Sequence, residues 1–272
     1  MQLSFGQAQC YTSDRMNSNV ALAKAFKAVF GYTNVGNYAR FTIFQKLIQE
    51  IPLPEKAEIL DLGTGYGEYA ISIGEALPNA IVHALDIDKS RIETLDRALA
   101  QSRIKNVRTH DKAIENTVLR DLDFIFSVDV FEHIPVEEMP FKSVYDRLKP
   151  GGHFLVKIPN VTQKTIFPES LFEEHHEWLE EEHVGQVYDL EALKARFTFE
   201  NFEIVHASYS DGYLSRFAWE LAYLGKKAGT ITQVITLPIA KGLIHMDRWF
   251  HRGSWGNAIQ VIGRKAYPCT SL

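Results

Sequence analysis

The 272-residue sequence predicts a doubly wound α/β fold: a mainly parallel, seven-stranded sheet with helices on both faces and a helical insertion before the last strand. Three observations carry that expectation. Short apolar runs recur near Ile59, Ala80, Phe124 and Phe154, with amphipathic stretches in the intervals between them. The first run breaks into Gly63, Gly65 and Gly67 ahead of a small-residue helix, the pattern of strand, tight turn and helix N-terminus. Acids stand at or near the strand ends, at Asp61, Asp86, Asp111 and Asp129, so one sheet edge can collect them.

Taken in chain order, the first ten or so residues are expected to be loosely held. Ser18 to Phe30 has helical spacing, with Val20, Ala23, Phe26 and Phe30 on one face and Gly31 as a C-cap. Tyr32, Asn34, Tyr38 and Arg40 then gather just before a second helix, Phe41 to Glu50, which Pro52 and Pro54 close. ILDLGTGYGEYA, from Ile59, gives the first strand and its turn, and Tyr69 to Ala76 the first crossover helix. AIVHALDIDKS, from Ala80, is a strand ending in Asp86, 21 residues beyond Gly65. A carboxylate there can accept both hydrogens of a ribose diol. A helix from Asp88 to Gln101 leads to a third strand ending at Asp111, followed by Lys112 and Ala113.

The fourth strand, Phe124 to Val128, carries Ser127 and runs into a D-V-F-E-H turn, Asp129 to His133. A helix from Pro140 to Leu148, a Pro-Gly-Gly turn and a fifth strand follow. FEEHHEWLEEEH, Phe172 to His183, reads as a solvated helix at a substrate mouth. Its His175, His176 and His183 lack a cysteine partner and match no common zinc spacing. Val187 to Phe197 is an ordinary helix and Asn201 to Ser210 an edge strand. Two helices, Leu214 to Lys226 and Thr230 to Phe250, precede the last strand, Asn257 to Arg264. Pro238 is expected to interrupt the second of them. The chain thus divides into an N-terminal helical segment (1–55), a core (56–210), a helical insertion (211–256), and a last strand with its tail (257–272).

Composition narrows the partners. Hydrophobic residues make up 46% of the chain, ample for a buried sheet, and the net charge of −5 gives no electrostatic reason to expect a nucleic-acid backbone. Cys10 and Cys269, near opposite ends, make no disulfide framework, so a reducing cytoplasm is the expected setting. MQLSFGQAQCYTSDR lacks the features of a signal peptide, and no run approaches the ~18 apolar residues of a membrane span.

The glycine turn reads D-x-G-x-G-x-G, with Asp61 as its acid. Glu68 stands where the dinucleotide fingerprint needs its third glycine, and no Lys-Ser/Thr pair follows as a phosphate loop requires. The pattern resembles motif I of class I S-adenosylmethionine (SAM)-dependent methyltransferases, which have a Rossmann-like fold. The small-molecule branch that contains ubiquinone-pathway O-methyltransferases is the most similar, and the resemblance runs from about Ile59 to Asn160. It implies SAM as cofactor and S-adenosylhomocysteine as product. Asp61, Gly63, Thr64, Gly65 and Gly67 would form the cradle, Asp86 would hold the ribose diol and Asp111 would face the adenine amino group, with Ile87, Lys112 and Ala113 beside them as cofactor-binding residues. Ser127 belongs to the same implied set. In such relatives N-terminal aromatics close over the cofactor and an arginine meets its carboxylate, roles open to Tyr32 and Arg40. Equally, Tyr32 can cover a sheet edge and Arg40 can be a surface charge.

A sulfonium carries an already activated methyl, so a protein must hold the acceptor in line and exclude water. A hydroxyl acceptor must also lose its proton, and His133 is the candidate base, since histidines titrate near neutral pH. A structural role in the turn is the alternative. On a helical turn Asp129, Glu132 and His133 would share a face. They resemble the E-x-x-E-H metal ligands of quinone O-methyltransferases, with Asp129 in place of the first Glu. A divalent metal would lower the hydroxyl's pKa, but that departure leaves metal out of the expected set. Ser127-Val128-Asp129-Val130 is not the Asp/Asn-Pro-Pro-Tyr/Phe turn of base-amine methylases, which argues against DNA or RNA as substrate.

Phe217, Trp219, Tyr223, Trp249, Phe250 and Trp255 concentrate aromatics in the insertion, which suits a lid over the acceptor or a homodimer contact. ITQVITLPIAKGLIH is apolar but has only Lys241 and His245 as cations, few for a membrane-surface helix. The expected function is methylation of a small molecule or biosynthetic intermediate at a hydroxyl oxygen. Transfer to carbon or nitrogen, and SAM binding without transfer, stay open.

Overall fold

The structure, a computed structural model, describes residues 1–5, 21, 24, 25, 27, 28, 31–172, 188–251 and 253–267. Its sheet has seven strands in the order β3-β2-β1-β4-β5-β7-β6. They are β1 (Glu58–Leu62), β2 (Ile81–Leu85), β3 (Val107–His110), β4 (Leu122–Val128), β5 (Leu148–Pro159), β6 (Phe202–Ser210) and β7 (Ala258–Lys265). The first five pair in parallel; β7 runs antiparallel to both β5 and β6. The order reverses at β1, so the crevice beyond β1 and β4 is where this topology places a ligand.

Period-two alternation distributes the core. Along β4, Phe124 and Phe126 pack with α1 (Val35–Leu47) and α2 (Glu68–Ala76), while Ile125 packs on the opposite face with α4 (Phe141–Arg147) and α5 (Leu190–Phe199). Helix α3 (Lys89–Gln101) is capped by Asp88, whose carboxylate accepts from the N–H groups of Ser90 and Arg91. Helices α6 (Tyr213–Ala228) and α7 (Thr230–Phe250) form the insertion. They pack on α1 through Val35, Ala218, Leu237, Ala240 and Ile244.

Three expectations need correction. Helix α1 starts at Val35, not Phe41, because the Asn34 side chain caps it by accepting from the Asn37 N–H at 3.0 Å. Tyr38 and Arg40 therefore lie on a helix. Helix α7 runs unbroken through Pro238, which is exposed, while its neighbours Leu237 and Ala240 are buried against α1 and α6 and hold the helix together. The turn at 131–133 is 3₁₀, not α-helical. Most of the Ser18–Phe30 helix, both cysteines and His175, His176 and His183 lie outside the described residues. Among the described residues no helix is long and apolar enough to cross a membrane.

Candidate functional site

Beyond β1 the chain turns through three glycines in the left-handed region, Gly63, Gly65 and Gly67, at φ of 82°, 56° and 79°. The Gly63 and Thr64 N–H groups both donate to the Leu85 carbonyl, at 2.9 and 2.8 Å, and pin the turn to β2. A Cβ on Gly63 would strike Val130 at 2.5 Å and one on Gly67 would strike Leu95 at 2.4 Å. On Gly65 it would meet nothing within 4 Å. Gly65 therefore presents bare backbone to open space.

Asp86 is buried just past β2. Its carboxylate accepts from the Gly65 N–H at 2.8 Å and the Asp88 N–H at 2.9 Å, which fixes its orientation. Asp61 is buried beneath the turn and accepts from the Thr64 hydroxyl at 2.7 Å. Burial pushes its pKa up to about 7 against the pull of that hydroxyl. A cleft of ≈ 1030 Å³ opens here, walled by Gly63, Gly65, Asp86, Ile87, Ala113, Ile114 and His133.

A second, smaller cavity of ≈ 280 Å³ adjoins the first, and Asp129 and His133 line both. Its walls come from α1 (Gly36, Arg40), the turn after β4 (Asp129, Glu132, His133), β5 (Lys157) and the insertion (Asp211, Ser215, Arg216, Trp219). Alternating charges run across it. Arg40 pairs with Asp129, and Lys157 Nζ reaches both Asp129 oxygens at 2.9 and 3.0 Å. Lys157 also lies 3.9 Å from Asp211, which Arg248 grips at 2.6 Å. Desolvation works against the Asp211 charge, but Arg248 and then Lys157 outweigh it and lower the pKa. Asp129 holds a φ of 51°, a backbone conformation that Asp and Asn tolerate better than most residues. Glu132 is buried, its Oε2 has no hydrogen-bond partner, and burial followed by the nearby Asp129 pushes its pKa up to about 8.

The sequence-predicted residues separate into two groups. Gly63, Gly65, Asp86, Ile87, Ala113 and His133 meet at the larger cleft, with Asp61, Thr64 and Gly67 shaping its turn. Arg40 lines the smaller cavity. Asp111 and Lys112 are exposed past β3, and the chain reaches the cleft wall only at Ala113 and Ile114. Ser127 is buried in the sheet, where its hydroxyl donates to the Leu62 carbonyl at 3.0 Å. Tyr32 accepts from Asn37 Nδ2 at 3.1 Å and meets Phe41 edge-on at 4.9 Å, lining neither cavity.

Asp129, Glu132 and His133 all border the smaller cavity, but on a 3₁₀ turn rather than an α-helical one, with Glu132 buried and His133 exposed. Among the described residues no group of three or more His, Cys, Asp or Glu side chains is placed to hold a metal ion. Of the predicted aromatics, Trp219 lines the smaller cavity. Tyr223 stacks on it at 5.4 Å, and Trp249 and Phe250 point outward. Sequence reasoning missed Lys157 and Asp211. A lone lysine within the apolar run HFLVKIP was the available signal for the first.

Known proteins share this architecture. A family model described as "Methyltransferase domain" matches residues 37–207. The chain is 26% identical over 116 residues to trans-aconitate 2-methyltransferase of Variovorax paradoxus, covering 43% of this chain and 44% of that one. It is 32% identical over 101 residues to phosphoethanolamine N-methyltransferase 2 of Caenorhabditis elegans, covering 36% of this chain and 23% of that one. The chain thus spans about half or less of the length of the curated relatives it matches. Among solved structures, Haemonchus contortus phosphoethanolamine N-methyltransferase 2 in complex with S-adenosyl-L-methionine superposes with a TM-score of 0.60 at 18% identity. That match covers 96% of this chain and 60% of the other, and shows a shared fold. With the glycine turn, the buried Asp86 and a family match over most of its length, the chain belongs to the methyltransferase-domain family.

Proposed function

We propose that the chain is a SAM-dependent methyltransferase that transfers the methyl group to a small-molecule acceptor at a hydroxyl oxygen. The observation that carries this is the meeting of two cavities at Asp129 and His133, one walled by the glycine turn and Asp86, the other by charged and aromatic side chains. Gly65 supports the cofactor reading, because bare backbone beside open space is what a nucleoside lying against the turn requires. SAM, when bound, supplies a methyl group already activated on a sulfonium. Asp86, held by two backbone N–H groups, accepts the ribose hydroxyls, and exposed Ile87 covers the base. Arg40, whose side chain keeps 43% of its surface exposed, serves the cofactor carboxylate while Asp129 orients it. The smaller cavity positions the acceptor, and His133 takes its proton as the oxygen attacks.

The first test is calorimetric titration with SAM, S-adenosylhomocysteine and NAD. Affinity for the first two and none for NAD is expected; no affinity for either SAM or its product overturns the reading. Turnover of labelled SAM on a metabolite extract then separates an enzyme from a SAM-binding partner protein. His133→Ala should leave SAM affinity unchanged and lower transfer at saturating acceptor by about 10²-fold or more. Unchanged turnover would remove His133 from the mechanism. Transfer to nitrogen is the second reading, favoured by the phosphoethanolamine N-methyltransferases among the relatives. Locating the labelled methyl in the product by NMR decides between the two.

A further inference from the structure

Helix α7 turns a continuous apolar face outward. Ile231, Ile235, Ile239, Met246, Trp249 and Phe250 are all exposed, Ile231 at 79% and Trp249 at 76%, and their spacing of three, four and seven residues keeps them on one side. The opposite side packs on α1 and α6 through Leu237, Ala240 and Ile244. The six side chains form one exposed apolar patch along a 21-residue helix, and contiguous patches of this kind mark contact surfaces. A stable two-fold interface buries about 800 Å² from each partner around an apolar centre, and this face has the composition of such a centre.

We infer that α7 packs against α7 of a second copy, antiparallel, across a two-fold axis between Ile239 and Gly242. That register is self-complementary as an isologous contact must be. Ile231 falls opposite Phe250 of the partner subunit, Ile235 opposite Met246 of the partner subunit, and Ile239 opposite Gly242 of the partner subunit. Apolar therefore meets apolar at these positions, and Trp249 falls opposite Thr232 of the partner subunit at each end. Gly242 marks the crossing: it is exposed, and a Cβ built there would meet nothing within 4 Å, so a second backbone can approach closely.

A bilayer fits this face less well. Membrane-surface helices are rich in Lys and Arg. Here Lys241 and His245 stand at one flank beside Tyr38, Arg248 is occupied by Asp211, and the whole chain carries a net charge of −5. The inner side of α7 also bears on the smaller cavity. Asp247 accepts from the Gly212 N–H and the Ser215 hydroxyl, and Arg248 donates to the Ala39 carbonyl. Pairing through the outer side would steady that wall.

Sedimentation equilibrium of the full chain should give twice the 31.0 kDa chain mass at micromolar concentration. Ile239→Glu, at an exposed position, should weaken association at least tenfold with an unchanged circular dichroism spectrum. In a Cys10→Ser, Cys269→Ser background, Gly242→Cys should cross-link to a dimer under mild oxidation. A wild-type chain still monomeric at about 100 μM, or an Ile239→Glu dimer as tight as wild type, overturns the inference. So does a monomer that floats with phosphatidylglycerol vesicles, which would assign the face to lipid. None of these readouts depends on methyl transfer, so the two proposals fail separately.

Discussion

Gly65 and Gly67 lie in one turn, yet a Cβ should harm them in different ways. At Gly67 it adds a 2.4 Å clash with Leu95 to the strain of φ 79°, so Gly67→Ala is expected to cost about 2–4 kcal/mol. Thermal denaturation would show this as a clear fall in Tm. At Gly65 the new methyl has open space and costs only about 1–2 kcal/mol of backbone strain. It should nonetheless weaken SAM binding more than tenfold by calorimetry, because it fills the space the nucleoside needs. SAM affinity equal to wild type would mean the cofactor lies elsewhere. Glu132 makes a prediction in pH. Its native pKa of about 8 stands above the ordinary carboxyl value of 4.5, so between those limits the native state holds a proton that the unfolded chain has released. Its contribution to stability is therefore greatest in acid and declines as pH rises toward about 8. Glu132→Gln removes that slope. Wild type minus variant Tm should fall steadily from pH 5 to pH 8, and a flat difference would show that Glu132 ionises normally.

Among elements, the strands were legible because their apolar runs and terminal acids are local signals. The β1 turn and the position of Asp86 could be read directly for the same reason. The 3₁₀ turn at 131–133 could not, since D-V-F-E-H has no feature that separates one helical pitch from another. The start of α1 was hidden by Gly36, a poor helix former, although Asn34 was the cap to look for. Helix α7 was misread at Pro238 because tertiary packing overrode local propensity. Pro238 deprives the helix of one backbone donor while its own side chain faces outward. Pro238→Ala restores the donor and loses little packing, but it also frees the unfolded chain, which takes back ~1 kcal/mol. The net effect expected is a gain of about 2 kcal/mol, seen as a higher denaturant midpoint with an unchanged m-value. A loss of stability would mean that the proline ring contributes to packing at the α7 face.

Across the whole molecule, the charges around the smaller cavity join parts that are distant in sequence, which is why no motif announced them. Asp129 and Lys157 are 28 residues apart, Asp211 and Arg248 37, and Arg40 arrives from α1. Lys157 stands at the centre, only 5% exposed, between Asp129 and Asp211. Through Arg40 it is linked to the N-terminal helix, and through Asp211 and Arg248 to the insertion. Lys157→Met would leave two carboxylates, 6% and 17% exposed, each with one cation fewer, so a loss of about 3–5 kcal/mol is expected. Because the array acts as a unit, that loss should not stay local. Hydrogen exchange should quicken in α1, α6 and α7 together while β1 and β2 keep their protection. Asp129→Asn added to Lys157→Met supplies the decisive comparison. Asparagine tolerates the positive φ of residue 129, and Arg40, partly exposed, can turn to water once its partner is neutral. The double variant should then be more stable than the sum of the two single losses by at least 1 kcal/mol, about the size of coupling found between directly contacting charges. Strict additivity would mean that the five charges stabilise their own neighbourhoods independently, and that apolar packing alone holds the insertion to the sheet.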